Sequence, residues 1–135
     1  MSLHHQLLER QNQGRPIRVG LIGAGKFGSM YLSQIPRTPG VHLLGIADLS
    51  PQRAQDNLRL VGWPEHQTQA RSLAQALAEG STCVNDDWRA LVEHPALDVL
   101  VECTGSPPHA VEHILHAFAH GKHVVNVTVE ADAFC

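Results

Sequence analysis

The stretch from Ile17 to Ser33 reads I-R-V-G-L-I-G-A-G-K-F-G-S-M-Y-L-S and carries the strongest local signal in the chain. Its first part, Ile17 to Ile22, is a short apolar run that is typical of a buried strand. The run leads directly into Gly23-x-Gly25-x-x-Gly28, and apolar residues at helical spacing follow. A strand, a glycine-rich turn and a helix in this order form the fingerprint of a dinucleotide-binding turn.

Each glycine of this turn has a separate chemical reason. Gly23 permits the tight turn out of the strand, Gly25 lets a pyrophosphate approach the backbone, and Gly28 lets the helix pack closely on the strand. The first N–H groups of the helix would point at the phosphates. The charge of Lys26 either helps to offset the pyrophosphate or is simply solvated. We therefore predict cofactor contacts along the whole turn, from Gly23, Ala24, Gly25, Lys26, Phe27 and Gly28.

A second apolar run, Val41 to Ala47, ends at Asp48, which lies 20 positions after Gly28. At this separation an acidic residue meets the hydroxyls of the adenosine ribose. A carboxylate accepts hydrogen bonds from those hydroxyls and repels a 2′-phosphate, so Asp48, with Leu49 beside it, favours NAD. Arg53 is either a solvated cation on a helix or a group that turns toward the 2′-phosphate of NADP.

Strands and helices alternate along the rest of the chain. Ser50-Pro51 predicts the start of a helix, and Asp86 or Asp87 predicts the cap of a later, short one. Further helices are predicted over 68–78 and 106–119, and further strands over 82–84, 97–105 and 122–129. This alternation predicts an α/β fold, a Rossmann-type doubly wound parallel sheet with helices on both faces and the strand order 3-2-1-4-5.

Ligands of such a sheet bind beyond the carboxyl ends of its strands. Thr104 and Gly105, after the fourth strand, and Thr128, in the fifth, are therefore predicted to frame the nicotinamide. A plain turn before a proline-started helix is the alternative for Thr104-Gly105. Glu102 and Glu130 are further polar residues near this edge, and neither has a recognisable partner. No catalytic acid or base can be assigned.

Four of the ten histidines form one stripe of a predicted helix, namely His109, His113, His116 and His120. Val111, Ile114 and Phe118 form the opposite stripe, which we expect to be the core face. The histidines would then face solvent, and no metal site is predicted. Cys103 is predicted to be a small buried apolar residue rather than a nucleophile.

The bulk properties fit one globular domain. The 135 residues are 43% apolar with a net charge of −3, so we predict a single domain over 16–135, after an arm or short helix over 1–15. The absence of a Lys/Arg cluster argues against nucleic acid, and no apolar run has the length of a membrane span. Three cysteines without metal spacing indicate a reduced, cytoplasmic chain.

Three segments carry a family resemblance: V-G-L-I-G-A-G at 19–25, Ala47-Asp48, and G-K-H-V-V at 121–125. They resemble the N-terminal domain shared by homoserine dehydrogenases and the glucose–fructose oxidoreductase family. After G-K-H-V, those families usually place Asn-Lys and Glu-Lys-Pro respectively, and this chain has neither lysine. With 80–87 and 98–105, its ending resembles a narrower group: homoserine-dehydrogenase-like oxidoreductases with a later SAF-type domain, including 1-deoxy-D-xylulose 5-phosphate reductoisomerase-like enzymes.

The resemblance covers most of 17–132 and implies an NAD(P)-dependent oxidoreductase. This chain would be its cofactor half, lacking the C-terminal domain that binds the small-molecule substrate and forms the dimer. The narrower group uses NADPH, whereas Asp48 favours NAD, so the predicted cofactor is NAD(P) with a preference for NAD. A sheet that ends at its fifth strand exposes an edge, which favours a homo-oligomer. The alternatives are a stand-alone, non-catalytic nucleotide-binding or sensing module, and a domain that has lost nucleotide affinity.

Overall fold

The computed structural model describes residues 3–23, 35 and 39–127. Within them the elements follow in the order α1 (Leu3–Asn12), β1 (Ile17–Ile22), β2 (Val41–Ala47), α2 (Pro51–Leu60), α3 (Leu73–Glu79), β3 (Cys83–Asn85), α4 (Trp88–Glu93), β4 (Val99–Glu102), α5 (Pro107–Ala119) and β5 (His123–Asn126). None of these described helices is long and apolar enough to cross a bilayer.

Several predictions concern residues outside the described ranges. They are the cofactor contacts of Ala24, Gly25, Lys26, Phe27, Gly28 and Thr128, the helix expected after Gly28, and the position of Glu130. Those remain predictions, and the site below is built from Gly23, Asp48, Leu49, Arg53, Thr104 and Gly105.

The five strands form one parallel sheet in the order β3-β2-β1-β4-β5. This is the predicted Rossmann-type order, in which the chain starts in the middle of the sheet and builds outward in both directions. β1 lies between β2 and β4, so the three strands whose carboxyl ends matter most are adjacent.

The sheet is packed on both faces, as the fold class predicts. Successive strand residues point to opposite sides: Leu21 belongs to a cluster with Ala54 and Leu58 of α2, whereas Ile22 belongs to a cluster with residues of α3, α4 and α5. This explains why the strand sequences are almost continuously apolar, because neither face of their central residues meets water.

α4 packs against the middle of the sheet, opposite two glycines. Gly20 of β1 pairs with Gly45 of β2, and a Cβ at either position would stand 2.9 Å from Leu91 Cδ1 or an adjacent leucine methyl group. The two glycines therefore make room for Leu91, which is itself buried. The position of α4 matters for the site because Trp88 stands at its first residue.

Element ends differ from the sequence prediction where local hydrogen bonds decide them. The helix predicted over 68–78 begins only at Leu73, because Ser72 Oγ accepts from Gln75 N and caps it there. Residues 65–67 form a separate 3₁₀ turn. The strand predicted over 82–84 is Cys83–Asn85, and the two last strands, predicted over 97–105 and 122–129, are shorter in the described residues.

Other element starts are as predicted. Ser50 caps α2 and Pro51 is its first residue. Of the two candidate caps for α4, Asp87 is the one whose carboxylate accepts from Ala90 N. Residues 3–12, for which an arm was the alternative, form helix α1, and Gln11 Oε1 accepts from Gly40 N at 2.7 Å. This bond ties α1 to the loop that leads into β2.

Candidate functional site

Gly23, Asp48 and Thr104 stand just beyond the carboxyl ends of β1, β2 and β4, and they line one cavity of about 380 Å³. This volume falls in the range of small-molecule sites. Leu49 and Arg53, both predicted site residues, line it too. Gly105 follows Thr104 in the turn with φ +70° and is exposed, but it is not one of the lining residues. A cavity therefore lies at the carboxyl edge of the sheet, where the sequence predicts the ligand site.

Gly23 is required by both conformation and space. Its φ is +88°, a value that favours glycine, and a Cβ there would stand 2.9 Å from the carbonyl carbon and oxygen of Cys103. Its N–H donates to Ala47 O at 2.9 Å. Gly23 therefore lets the chain leaving β4 approach the end of β1, in addition to making the turn.

Asp48 presents a preorganised carboxylate at the end of β2. Its side chain is only 2% exposed, and Oδ1 accepts from Ser50 N at 3.0 Å and from Arg53 Nη2 at 2.8 Å. The bond to Ser50 N is an Asx-turn, which fixes the carboxylate relative to its own backbone. A carboxylate held this way is an acceptor whose orientation does not depend on the ligand.

Arg53 is not simply a solvated helix cation, the alternative that the sequence left open. It pairs with Asp48, although its own side chain is 59% exposed. The wall of the cavity at β2 thus carries an acceptor and a cation side by side. The carboxylate would suit the ribose hydroxyls of NAD and the guanidinium would suit the 2′-phosphate of NADP. The two groups are in direct contact with each other.

Beneath the cavity lies a buried polar pair, Glu102 and His113. Glu102 is fully buried, His113 is 6% exposed, and Nδ1 of His113 lies 2.5 Å from Oε2 of the glutamate. The ring of Trp88 packs edge-on against His113 with centroids 4.4 Å apart. His113 is therefore a partner of Glu102 that could not be recognised from the sequence.

The histidine stripe was predicted to face solvent, and this is wrong for His113. The buried face of α5 consists of Ala110, His113, Ile114 and Ala117, whereas Phe118, predicted to lie in the core, is 60% exposed. The physical reason is Glu102: a buried carboxylate on β4 needs a donor, and the imidazole of His113 on the facing helix supplies it. The alanines leave the space for this orientation.

Glu102 also holds the turn that follows β4. Its Oε1 accepts from Thr104 N at 2.7 Å, and Thr104 Oγ1 accepts from Ser106 N at 3.2 Å. The Thr104 hydroxyl therefore keeps its proton for a further acceptor. A buried glutamate thus fixes a backbone turn at the cavity mouth, which the sequence could not show, since nothing in it links positions 102 and 113.

The sequence analysis missed several residues of the cavity wall: Asp86, Trp88, His109, Glu112 and His113. Asp86 follows β3, and the carboxyl-edge rule applied to that strand would have found it. His109 lies in the first turn of α5, where its Nδ1 is 3.0 Å from Ser106 Oγ. Trp88 has no signal in the sequence, because only the close packing of α4 brings it to this edge.

Cys103 is a protected thiol. Burial, and then the charge of Glu102, raise its pKa to about 12, which supports the prediction that it is a small apolar residue rather than a nucleophile.

Because the thiolate is the reactive form, we expect iodoacetamide at pH 8 to label Cys103 about 1,000-fold more slowly in the folded chain than in urea. Peptide mapping by mass spectrometry separates Cys103 from the other cysteines. Equal rates in both states would contradict the protection.

A larger cavity, about 660 Å³, lies at the opposite edge of the sheet. It is lined by residues at the amino ends of β1 and β2, among them Arg18 and His42, and burial lowers the pKa of His42. Size alone does not locate a dinucleotide site. Parallel α/β sheets bind ligands at the carboxyl edge, where the glycine turn begins and where Asp48 stands, so the smaller cavity is the better candidate.

Comparisons with known proteins identify the family of the chain. A glycosyl hydrolase family 109 protein 1 from Phocaeicola vulgatus is 32% identical over 107 residues, which cover 79% of this chain and 21% of that protein. A homoserine dehydrogenase from Methylobacillus glycogenes is 31% identical over 115 residues, with 82% and 24% covered. The chain thus spans about a fifth to a quarter of the length of these curated relatives.

A solved structure gives the same answer for the fold. A putative oxidoreductase from Magnetospirillum magnetotacticum MS-1 is 32% identical, with a TM-score of 0.57 over 82% of this chain and 29% of that one. The family model described as homoserine dehydrogenase, NAD binding domain, matches residues 23–133. The chain therefore belongs to the homoserine dehydrogenase NAD-binding domain family, whose ligand is a nicotinamide dinucleotide.

Proposed function

We propose that the chain is the cofactor-binding half of an NAD(P)-dependent oxidoreductase that prefers NAD. A bound nicotinamide supplies the hydride chemistry, and the residues of this chain bind and orient the dinucleotide. The observation that carries the proposal is the buried Asp48 carboxylate, which lines the same cavity as Gly23. The small-molecule substrate would be bound by a further domain, and the resemblance to reductoisomerase-like enzymes remains a prediction.

Asp48 is proposed to read the adenosine ribose. Its carboxylate is already oriented by Ser50 N, so it can accept a hydroxyl hydrogen bond without losing side-chain freedom on binding. A 2′-phosphate at the same place would meet a negative charge. Arg53 moderates this repulsion because its guanidinium lies 2.8 Å from Asp48 Oδ1, which makes the balance between the two groups the determinant of cofactor preference.

The Thr104 turn is proposed to face the nicotinamide side of the dinucleotide. Glu102 fixes its backbone, and the Thr104 hydroxyl can donate to a ribose or phosphate oxygen. His109 and Glu112, on the first turns of α5, line the cavity on this side and would meet the substrate end of the cofactor. Thr128 completes this frame in the sequence prediction. The homo-oligomer predicted from the exposed sheet edge stays part of the proposal as well.

The test is a calorimetric titration of the chain with NADH and with NADPH, for the wild type and Asp48→Asn. We expect the wild type to bind NADH more tightly. Asp48→Asn keeps an acceptor for Ser50 N and removes the charge, so its NADH affinity should fall about tenfold, the value of one charge-assisted hydrogen bond. Its NADPH affinity should rise, because the negative charge that repels a 2′-phosphate and neutralises Arg53 is gone.

Arg53→Gln is the matched variant, since it removes the cation and leaves the carboxylate. It should weaken NADPH more than NADH. An unchanged NADH-to-NADPH affinity ratio in Asp48→Asn would remove Asp48 from the role of ribose reader. A wild-type preference for NADPH would make Arg53 the residue that recognises the adenosine ribose, through its 2′-phosphate, and would favour the reductoisomerase-like resemblance. Binding of neither dinucleotide would contradict the proposal for this chain.

A further inference from the structure

Three side chains with metal-binding chemistry meet on the outer surface of α4 and α5, separate from the dinucleotide cavity. Glu93 is the last residue of α4, His116 lies in the last turn of α5, and His120 is the C-cap residue that follows that helix. One potential ligand atom of each lies within 4.8 Å of the other two. None of the three lines the cavity that holds Asp48.

His120 is already oriented as a metal-ligating histidine usually is. Nδ1 of His120 lies 3.0 Å from the backbone oxygen of His116. A carbonyl only accepts, so in the neutral imidazole Nδ1 carries the proton and Nε2 has the lone pair that a metal ion needs. Metal-ligating histidines typically donate their other ring N–H to such an acceptor, which fixes both tautomer and ring orientation. Histidines at i and i+4 on one helix are also a recurrent metal-binding pair.

His116 and Glu93 supply the rest of the arrangement. Nε2 of His116 lies 2.9 Å from Oε2 of Glu93, so the nitrogen and the carboxylate oxygen already point at one place. Trp88 packs edge-on against the His116 ring, with centroids 5.3 Å apart. A second link, Arg89 Nη2 to Glu112 Oε1 at 2.9 Å, joins the same two helices. The helix pair is therefore held together without a metal.

We propose that Glu93, His116 and His120 form a site for one divalent transition-metal ion of the zinc class. Two imidazoles and one carboxylate are a donor set that suits Zn²⁺, and also Ni²⁺ and Cu²⁺, whereas Mg²⁺ and Ca²⁺ take oxygen ligands. Three protein ligands leave a fourth position for water. A bound ion replaces the contact between His116 and Glu93 and cross-links α4 to α5. This departs from the sequence prediction that the histidine stripe holds no metal.

The proposal is tested by titrating the chain with Zn²⁺ in a background in which His4 and His5 are alanine, because two adjacent histidines could bind metal by themselves. We expect one equivalent of Zn²⁺ to bind saturably. His120→Ala and Glu93→Gln should each lower the affinity at least about tenfold, since even the loss of an outer-shell partner costs that much. His66→Ala, which removes an exposed histidine elsewhere, should change nothing.

The fluorescence of Trp88 gives a second readout, which reports where on the chain the metal ion binds. In Trp63→Phe, Trp88 is the sole tryptophan, and Ni²⁺ bound beside His116 should quench its fluorescence. The quenching should disappear in His120→Ala. Equal Zn²⁺ affinities in His120→Ala, Glu93→Gln and the parent would overturn the proposal, as would an equal loss in His66→Ala. Absence of saturable binding would leave Glu93 and His116 as an ordinary surface ion pair and would also overturn it.

Discussion

Gly23→Ala is expected to destabilise the chain by about 3 kcal/mol and to abolish dinucleotide binding. The backbone at Gly23 has φ +88°, which costs an alanine about 1–2 kcal/mol. The added Cβ also stands 2.9 Å from the backbone of Cys103 and Thr104, and such overpacking costs a further ~1–3 kcal/mol. Since the contacting atoms are backbone, the ends of β1 and β4 must separate, and the cavity between them changes shape. Urea unfolding and NADH titration measure the two effects.

Gly62→Ala is the matched control. Gly62 has φ +89°, almost the same value, but a Cβ there would have no heavy atom within 4 Å. It should therefore lose only the conformational part, about 1–2 kcal/mol, and bind NADH as the wild type does. If both variants lose the same stability, the close approach of Cys103 to Gly23 has no energetic consequence, and the structural account of this glycine fails.

His113→Ala is expected to cost about 3 kcal/mol of stability, which is typical when one partner of a buried polar pair is removed. Glu102, fully buried, would keep its bond to Thr104 N and lose the hydrogen bond from His113. The carboxylate should then draw in water or reorient, so the Thr104 turn loosens. We expect weaker NADH binding together with the lower unfolding midpoint, measured by calorimetry and by thermal melts.

His113→Asn separates the hydrogen bond from the bulk of the ring. Its amide nitrogen stands at the same distance along the side chain as Nδ1, so it can donate to Glu102 and should recover part of the stability and of the NADH affinity. His66→Ala, an exposed histidine, should stay within about 0.5 kcal/mol of wild type. If His113→Asn is no better than His113→Ala, packing against Trp88 rather than the bond to Glu102 is what His113 contributes.

The fold and half of the site could be predicted because both depend on local signals. Apolar runs, prolines after caps and the glycine turn are written within a few residues of where they act, and Gly23, Asp48 and Thr104 all line the cavity as a result. The start of α3 was predicted too early, and this error is also local. The predicted helix began at residue 68, whereas the side chain of Ser72 caps the helix so that it begins at Leu73.

The orientation of α5 could not be predicted from its own sequence. Histidine and phenylalanine would ordinarily be placed outside and inside respectively, and the structure reverses this for His113 and Phe118. The orientation of the helix is determined by Glu102, which lies on β4, eleven residues before His113. Pairings of this kind depend on which side chains two packed elements bring face to face, and a single sequence carries no record of that.

The place of β1 in the middle of the sheet also determines when the chain can fold as it is made. Val19 of β1 pairs with Val99 of β4, so its second neighbour is synthesised 80 residues later. At about 5–20 residues per second, β1 waits ~4–16 s with one edge unpaired. A nascent chain stalled before β4 therefore carries an apolar strand with one unpaired edge, which is a species prone to aggregation.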